Sequence, residues 1–223
     1  MIMIYYPYDW KCEFYSDKHN RVTIEDKDVF EKFLVDLDSC IQSGEESFYM
    51  EDDEKQIKIE KSVAVISSPL DLKFTKKDYQ KVLFNKLIEE LQVNGLDNQL
   101  AECYAGVVEN IDSLSASVPY NIEFDEELDY SAIFKLLDIR IEQPKGNFSE
   151  KMLDFLDGAV KLLNKKVFFF VNCHSYIDKK WYDEIVKWGE YQNVIIVFVE
   201  NKQIQNNKSI NEYILDQDMC EIH

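Results

Sequence analysis

The sequence predicts an α/β fold with a mainly parallel sheet and a helical insertion, and three observations carry that prediction. Val167-Phe-Phe-Phe-Val171 and Val194-Ile-Ile-Val-Phe-Val199 are apolar at every position, so neither strand has a solvent face. Between them, Ser175–Gly189 has helical spacing: Asp178 is placed to cap, Trp181, Ile185 and Trp188 share one face, and Gly189 is placed to end the helix. Such a strand–helix–strand crossover implies parallel strands covered on both faces. Third, the hydrophobic period changes from two to 3.6 after Pro69, which marks the insertion. Architectures of this class often bind nucleotides after a strand, but the loop Asn172-Cys-His-Ser-Tyr176 has no glycine with which to wrap a phosphate.

In chain order, Val22-Thr-Ile24 reads as a short strand. A helix follows, capped by Asp26 or Asp28, with Val29, Phe30, Phe33, Leu34, Leu37 and Ile41 on one stripe and Gly44 at its end. Ser47–Met50 and Gln56–Ile59 alternate around Glu51-Asp-Asp-Glu54, a hairpin, and Val63–Ile66 is a further apolar strand. Thr75 and Asp78 can form a capping box for a helix running through Leu91 to Asn94-Gly95. A second helix is expected to turn Leu96, Leu100, Tyr104, Val107, Ile111 and Leu114 inward, and a third covers about Ser131–Leu137. After the turn at Pro144-Lys-Gly146, Phe148–Leu163 is helical and leads into the strand at Val167. The organisation is a head from 1–72 and 146–223, with a helical leg at 73–145.

The 223 residues carry 25 Lys and Arg against 43 Asp and Glu, a net charge of −18, which taken alone argues against nucleic acid as a partner. The charge is uneven. Residues 73–95 hold five lysines against three acids, and Lys73, Lys77 and Lys81 recur every four positions; Lys76 completes the strip. Residues 102–142 hold ten acids against Lys135 and Arg140. The five cysteines are odd in number and contain no C-x-x-C pair, which suits reduced, mostly buried thiols. The N-terminal Met-Ile-Met-Ile-Tyr-Tyr lacks a basic leader and is too short to span a membrane, so the expected location is cytoplasmic.

The densest cluster is Glu123-Phe-Asp-Glu-Glu-Leu-Asp129, with five carboxylates in seven positions; Asp138 and Glu142 lie beyond the next helix. Such a run is either a solvated loop or a site for a hard cation such as calcium, which takes six to eight oxygens; the EF-hand spacing and its glycine are missing. A different reading is a magnesium-dependent nuclease using Asp52 or Asp53, Asp71 and Lys73. The neighbours Cys173 and His174 could suggest a thiol–imidazole pair, but adjacent residues at a strand end point apart, which favours a structural role.

Val22-Thr-Ile-Glu-Asp26, Ile139-Arg-Ile-Glu142, Val167–Asn172, Val197-Phe-Val-Glu200 and Tyr213–Ile222, in this order and spacing, together resemble the short form of the Csn2 family, the adaptation proteins of type II-A CRISPR–Cas systems. The resemblance runs from about Ile4 to Ile222. It implies a P-loop-ATPase-like head without a Walker motif or working nucleotide site, no catalysis, and a helical leg. It also implies a homotetrameric ring that takes double-stranded DNA ends into a lysine-rich hole during spacer acquisition, beside the CRISPR integrase and the RNA-guided nuclease. Calcium (Ca2+) bound in the leg region is implied as well, with ligands just before and after the short helix: Glu123, Asp125, Glu126 or Asp129 on one side and Glu142 on the other. Lys73, Lys76, Lys77 and Lys81 are the nominated DNA contacts because they form the basic strip.

Overall fold

The computed structural model describes residues 1–68, 72–74, 77–204 and 210–222, the side chains of Asp78 and Lys179 excepted. Two compact units emerge, one from Met1–Lys73 and Gln143–His223, the other from Phe74–Glu142.

The first unit holds two sheets. The larger has six strands in the order β10-β9-β3-β8-β7-β6: β3 (Asn20–Ile24), β6 (Val63–Ile66), β7 (Val167–Val171), β8 (Ile195–Glu200) and β9 (Asn211–Leu215) are parallel, and β10 (Glu221–Ile222) is antiparallel to β9. The smaller is an antiparallel sheet of β1 (Ile2–Tyr5), β2 (Trp10–Glu13), β4 (Phe48–Asp52) and β5 (Lys55–Gln56) in the order β2-β1-β4-β5. The N-terminal apolar run is therefore a strand, and the parallel sheet is one of two sheets.

Helix α1 (Lys27–Ser43) starts at Asp26, whose side chain accepts from the amides of Asp28 and Val29, and ends at left-handed Gly44. Its stripe of Val29, Phe30, Phe33 and Leu37 joins one core with the small sheet and with Val167, Phe169 and Val171 of β7. Tyr5 stacks on Phe48 at 4.5 Å, and Phe33 meets both rings edge-on. Phe168 and Phe170 point to the opposite face, where α6 (Phe148–Leu163) and α7 (Lys179–Gln192) lie; Phe168 meets Trp188 of α7 edge-on at 5.9 Å. Burial on both faces is why β7 is apolar throughout.

Two boundaries differ from expectation. The hairpin turns at Asp53 and Glu54, both at positive φ, but β5 stops at Gln56, and Ile59–Ser62 form a helical turn, α2. Helix α7 passes through Gly189 and ends at left-handed Asn193. The glycine serves a close approach instead, since a Cβ there would meet Ile196 Cγ1 at 2.7 Å. All five cysteines are free, with Cys12, Cys40 and Cys173 buried. No helix among the described residues is long and apolar enough to cross a membrane.

Candidate nucleic-acid interface and acidic segment

The second unit contains α3 (Lys77–Val93), α4 (Asp97–Ser115) and α5 (Tyr130–Leu136). Its core is small: Phe84 of α3 meets Phe134 of α5 edge-on at 5.3 Å, and Phe74 meets Tyr79 at 5.1 Å. Helix α4 buries no residue. The stripe expected to face inward is largely open, with Leu96, Val107, Ile111 and Leu114 exposed by 45, 55, 40 and 62%. Residues 97–115 are helical as their period predicts, but period reveals that a face is apolar and not what covers it.

Of the nominated DNA contacts, Lys77 and Lys81 lie one turn apart on α3 and are exposed. Lys73 is exposed but precedes α3 and falls in the first unit, so the strip is not one continuous helical ridge. Lys76, Asp71 and the capping residue Thr75 lie outside the described residues, as does the side chain of Asp78.

Glu123, Asp125, Glu126 and Asp129 are exposed along the segment before α5, and Glu142 is exposed after it. Two of these carboxylates already serve the backbone. Asp125 accepts from the Glu127 amide at 3.0 Å, and Asp129 caps α5 by accepting from the Ser131 amide at 2.8 Å. The Tyr104 hydroxyl donates to the Asp125 carbonyl, tying α4 to this segment. Among the described residues, no three His, Cys, Asp or Glu side chains form a group able to hold a metal ion.

Of the residues of the nuclease reading, Asp52 and Asp53 lie at the hairpin. Asp52 lies 3.4 Å from the N-terminal ammonium, and Asp53 sits in the hairpin turn.

The loop after β7 is a 3-10 turn, Cys173–Ser175, entered through left-handed Asn172. Glu200, at the end of β8 and fully buried, fills the position in front of this turn. Its carboxylate accepts from the His174 amide at 3.3 Å and from the Tyr182 hydroxyl at 3.0 Å, and it lies 2.8 Å from His174 Nδ1. Cys173 and His174 therefore do not pair with each other. The thiol donates to Tyr182, and burial with the nearby Glu200 pushes its pKa up, which disfavours the thiolate. Sequence reasoning missed Glu200 as an organising residue. The available signal was a carboxylate directly after five apolar strand residues.

These features define a mixed α/β protein with a loop closed by its own carboxylate and a helical unit bearing an acidic segment and an open apolar face. A family model described as CRISPR-associated protein (Cas_Csn2) matches residues 41–219, and the chain belongs to that family. The CRISPR-associated protein Csn2 of Enterococcus faecalis is 29% identical over 85 residues, a stretch covering 38% of this chain and 37% of that relative. The match thus spans little more than a third of the relative's length.

Proposed function

We propose that the protein is a calcium-dependent, ring-forming, sequence-independent binder of double-stranded DNA ends that acts in CRISPR adaptation. It works beside the integrase complex and the RNA-guided nuclease in the cytoplasm and catalyses no reaction. Membership of a CRISPR-associated family supports the setting. The observation that carries the assembly is α4: an apolar stripe exposed on a 19-residue helix is an interface in search of a second copy. Converging copies explain how a protein of charge −18 meets DNA, because lysines such as Lys77 and Lys81 are then concentrated on one channel. Calcium enters through charge density, since five carboxylates in seven residues repel one another until a cation neutralises them. The ligand set proposed is Glu123, Asp125, Glu126, Asp129 and Glu142, brought to completion in the assembly.

The buried Glu200 supports the absence of nucleotide chemistry, because it takes the amide that an anion after β7 needs. Titration with Mg-ATP is expected to be flat, and saturable binding overturns that part.

The deciding experiment pairs sedimentation with gel shifts. A tetramer in calcium that weakens in chelator, and that shifts linear duplex but not a covalently closed circle, is the expected result. A monomer in millimolar calcium overturns the ring. Cleavage of linear DNA in magnesium favours the nuclease that uses Asp52 or Asp53, Asp71 and Lys73.

A further inference from the structure

The first unit contains a cleft of about 860 Å³ at the amino-terminal edge of the parallel sheet, opposite the edge that carries the Glu200 loop. One wall comes from the residues that lead into β6, β7 and β8: Lys58 and Lys61, then Lys165 and Lys166, then Asn193. The other wall comes from the small sheet and the segment that follows β2, and includes Lys55 and Tyr15. Five lysines thus face one cleft, against Asp17, Asp52 and Asp53.

The state of these lysines is informative. Elsewhere, Lys32, Lys161 and Lys180 each reach a carboxylate one turn away, as expected where acids outnumber bases by 18. Among the described residues, Lys55, Lys58, Lys61 and Lys166 form no ion pair. Asp52, one of the acids lining the cleft, is instead directed to the N-terminal ammonium at 3.4 Å. The scaffold beneath the lysines is rigid. The Lys166 amide donates to the Ser62 carbonyl at 2.7 Å, and the Lys166 carbonyl accepts from Ile195 at 2.8 Å, which locks the entries to three strands together. Like charges carried on one fixed edge and engaged in no ion pair are suited to a ligand that supplies several negative charges.

We infer that this cleft binds a single strand of nucleic acid, its phosphodiesters on the lysines and a base against Tyr15. The aromatic residue selects this ligand over a simple anion. Tyr15 is 38% exposed at the cleft, its hydroxyl is held by Glu13, and Lys18 Nζ lies 4.0 Å over the ring. A basic groove with an exposed aromatic ring matches how single strands are held, by charge along the backbone and by stacking of bases. The inference rests on the DNA-end reading for biological context alone: a duplex end that frays supplies such a strand, while the cleft stands on its own geometry.

The test is fluorescence anisotropy with a labelled oligo-dT strand and, separately, linear duplex. Wild type is compared with Lys58→Ala/Lys61→Ala/Lys166→Ala, and a matched Lys→Arg triple variant restores charge. The three alanine sites are exposed, so melting temperature is expected to hold. Affinity for oligo-dT is expected to fall at least about tenfold, with the log–log salt slope shallower by about 2, since each lost contact to a single strand removes about 0.7. The Arg variant is expected to restore both, and Tyr15→Ala to weaken oligo-dT but not inorganic tripolyphosphate. Equal oligo-dT binding by wild type and the alanine variant overturns the inference, as does failure of wild type to bind oligo-dT at low salt. Competition by polyglutamate as strong as that by oligo-dT makes the cleft a seat for acidic protein and also overturns it. Wild type that binds oligo-dT through the cleft but no duplex end breaks the proposed function and leaves this inference standing.

Discussion

The two units of this chain use apolar residues in opposite ways. In the α/β unit they close on one another: Val167–Val171 is buried on both faces, and Tyr5, Phe33 and Phe48 form a mutual cluster. In the helical unit, Tyr79, Phe84 and Phe134 are the buried residues among those described, while α4 leaves Val107, Ile111 and Leu114 in solvent. A core that satisfies itself makes a scaffold, whereas an apolar face that ends at the surface is open to association. The difference teaches that apolar content alone does not separate folding from association; what separates them is whether the chain itself covers the face.

The sharpest test of that contrast is a pair of truncations. Phe169→Ala removes a fully buried ring from the sheet core and is expected to cost about 3–5 kcal/mol, read by denaturant unfolding. Ile111→Ala is expected to cost less than about 1 kcal/mol under conditions that keep the chain monomeric, because the site is 40% exposed, yet to weaken assembly in sedimentation. Equal costs for both break the comparison.

Gly189→Ala probes how tightly the α/β unit is closed. The added methyl meets Ile196 Cγ1 at 2.7 Å and the Val194 carbonyl at 3.3 Å, an overpacking cost of about 1–3 kcal/mol. Better helix propensity returns about 1 kcal/mol. A net loss of about 1 kcal/mol in thermal unfolding is expected, and a gain in stability means the helix–sheet contact is looser than described.

Capping offers a finer comparison. Asp26 holds two amides of a 17-residue helix packed in the core, and Asp26→Ala is expected to cost about 1 kcal/mol. Asp129 caps the seven-residue α5, so Asp129→Ala is expected to leave global unfolding nearly unchanged and to lower local hydrogen-exchange protection. A large global effect of Asp129→Ala shows that the helical unit unfolds together with the rest.

The smallest expected effect is on pH dependence. Asp157 accepts from Trp188 at 2.8 Å and from Lys161 at 2.9 Å, joining α6 to α7. Burial acts to raise its pKa, but the hydrogen bonds from Lys161 and Trp188 outweigh it and hold the carboxyl below its usual range. The contribution is therefore complete above the unfolded value near pH 4 and is lost as pH falls through the lower folded value. The side chain is about one-third exposed, so the effect should stay below about 1 kcal/mol. Melting profiles of wild type and Asp157→Asn between about pH 2 and pH 6 are expected to converge at the acid end; parallel profiles remove the assignment.

Local chemistry determined much of this protein by itself. The apolar runs at Val167 and Val194 declared buried parallel strands, and Asp26, Asp178 and Gly44 marked helix ends, because caps and periodicity act over a few residues. The glycine-free loop after β7 was also legible, as was the acidic segment. What the sequence could not determine was set by residues far apart in the chain. The split into two sheets depends on β1 pairing with β4, more than forty residues away. Gly189 continues a helix because Ile196 lies against it. Glu200 closes a loop 26 residues earlier in the chain. The lysine-lined cleft gathers residues from five separate stretches, and the exposure of the apolar stripe on α4 is likewise a matter of packing that its period does not report. Periodicity and capping report a residue's own backbone and its immediate neighbours, while burial, close approach and charge convergence depend on which distant surfaces meet, and that is decided only when the chain has packed.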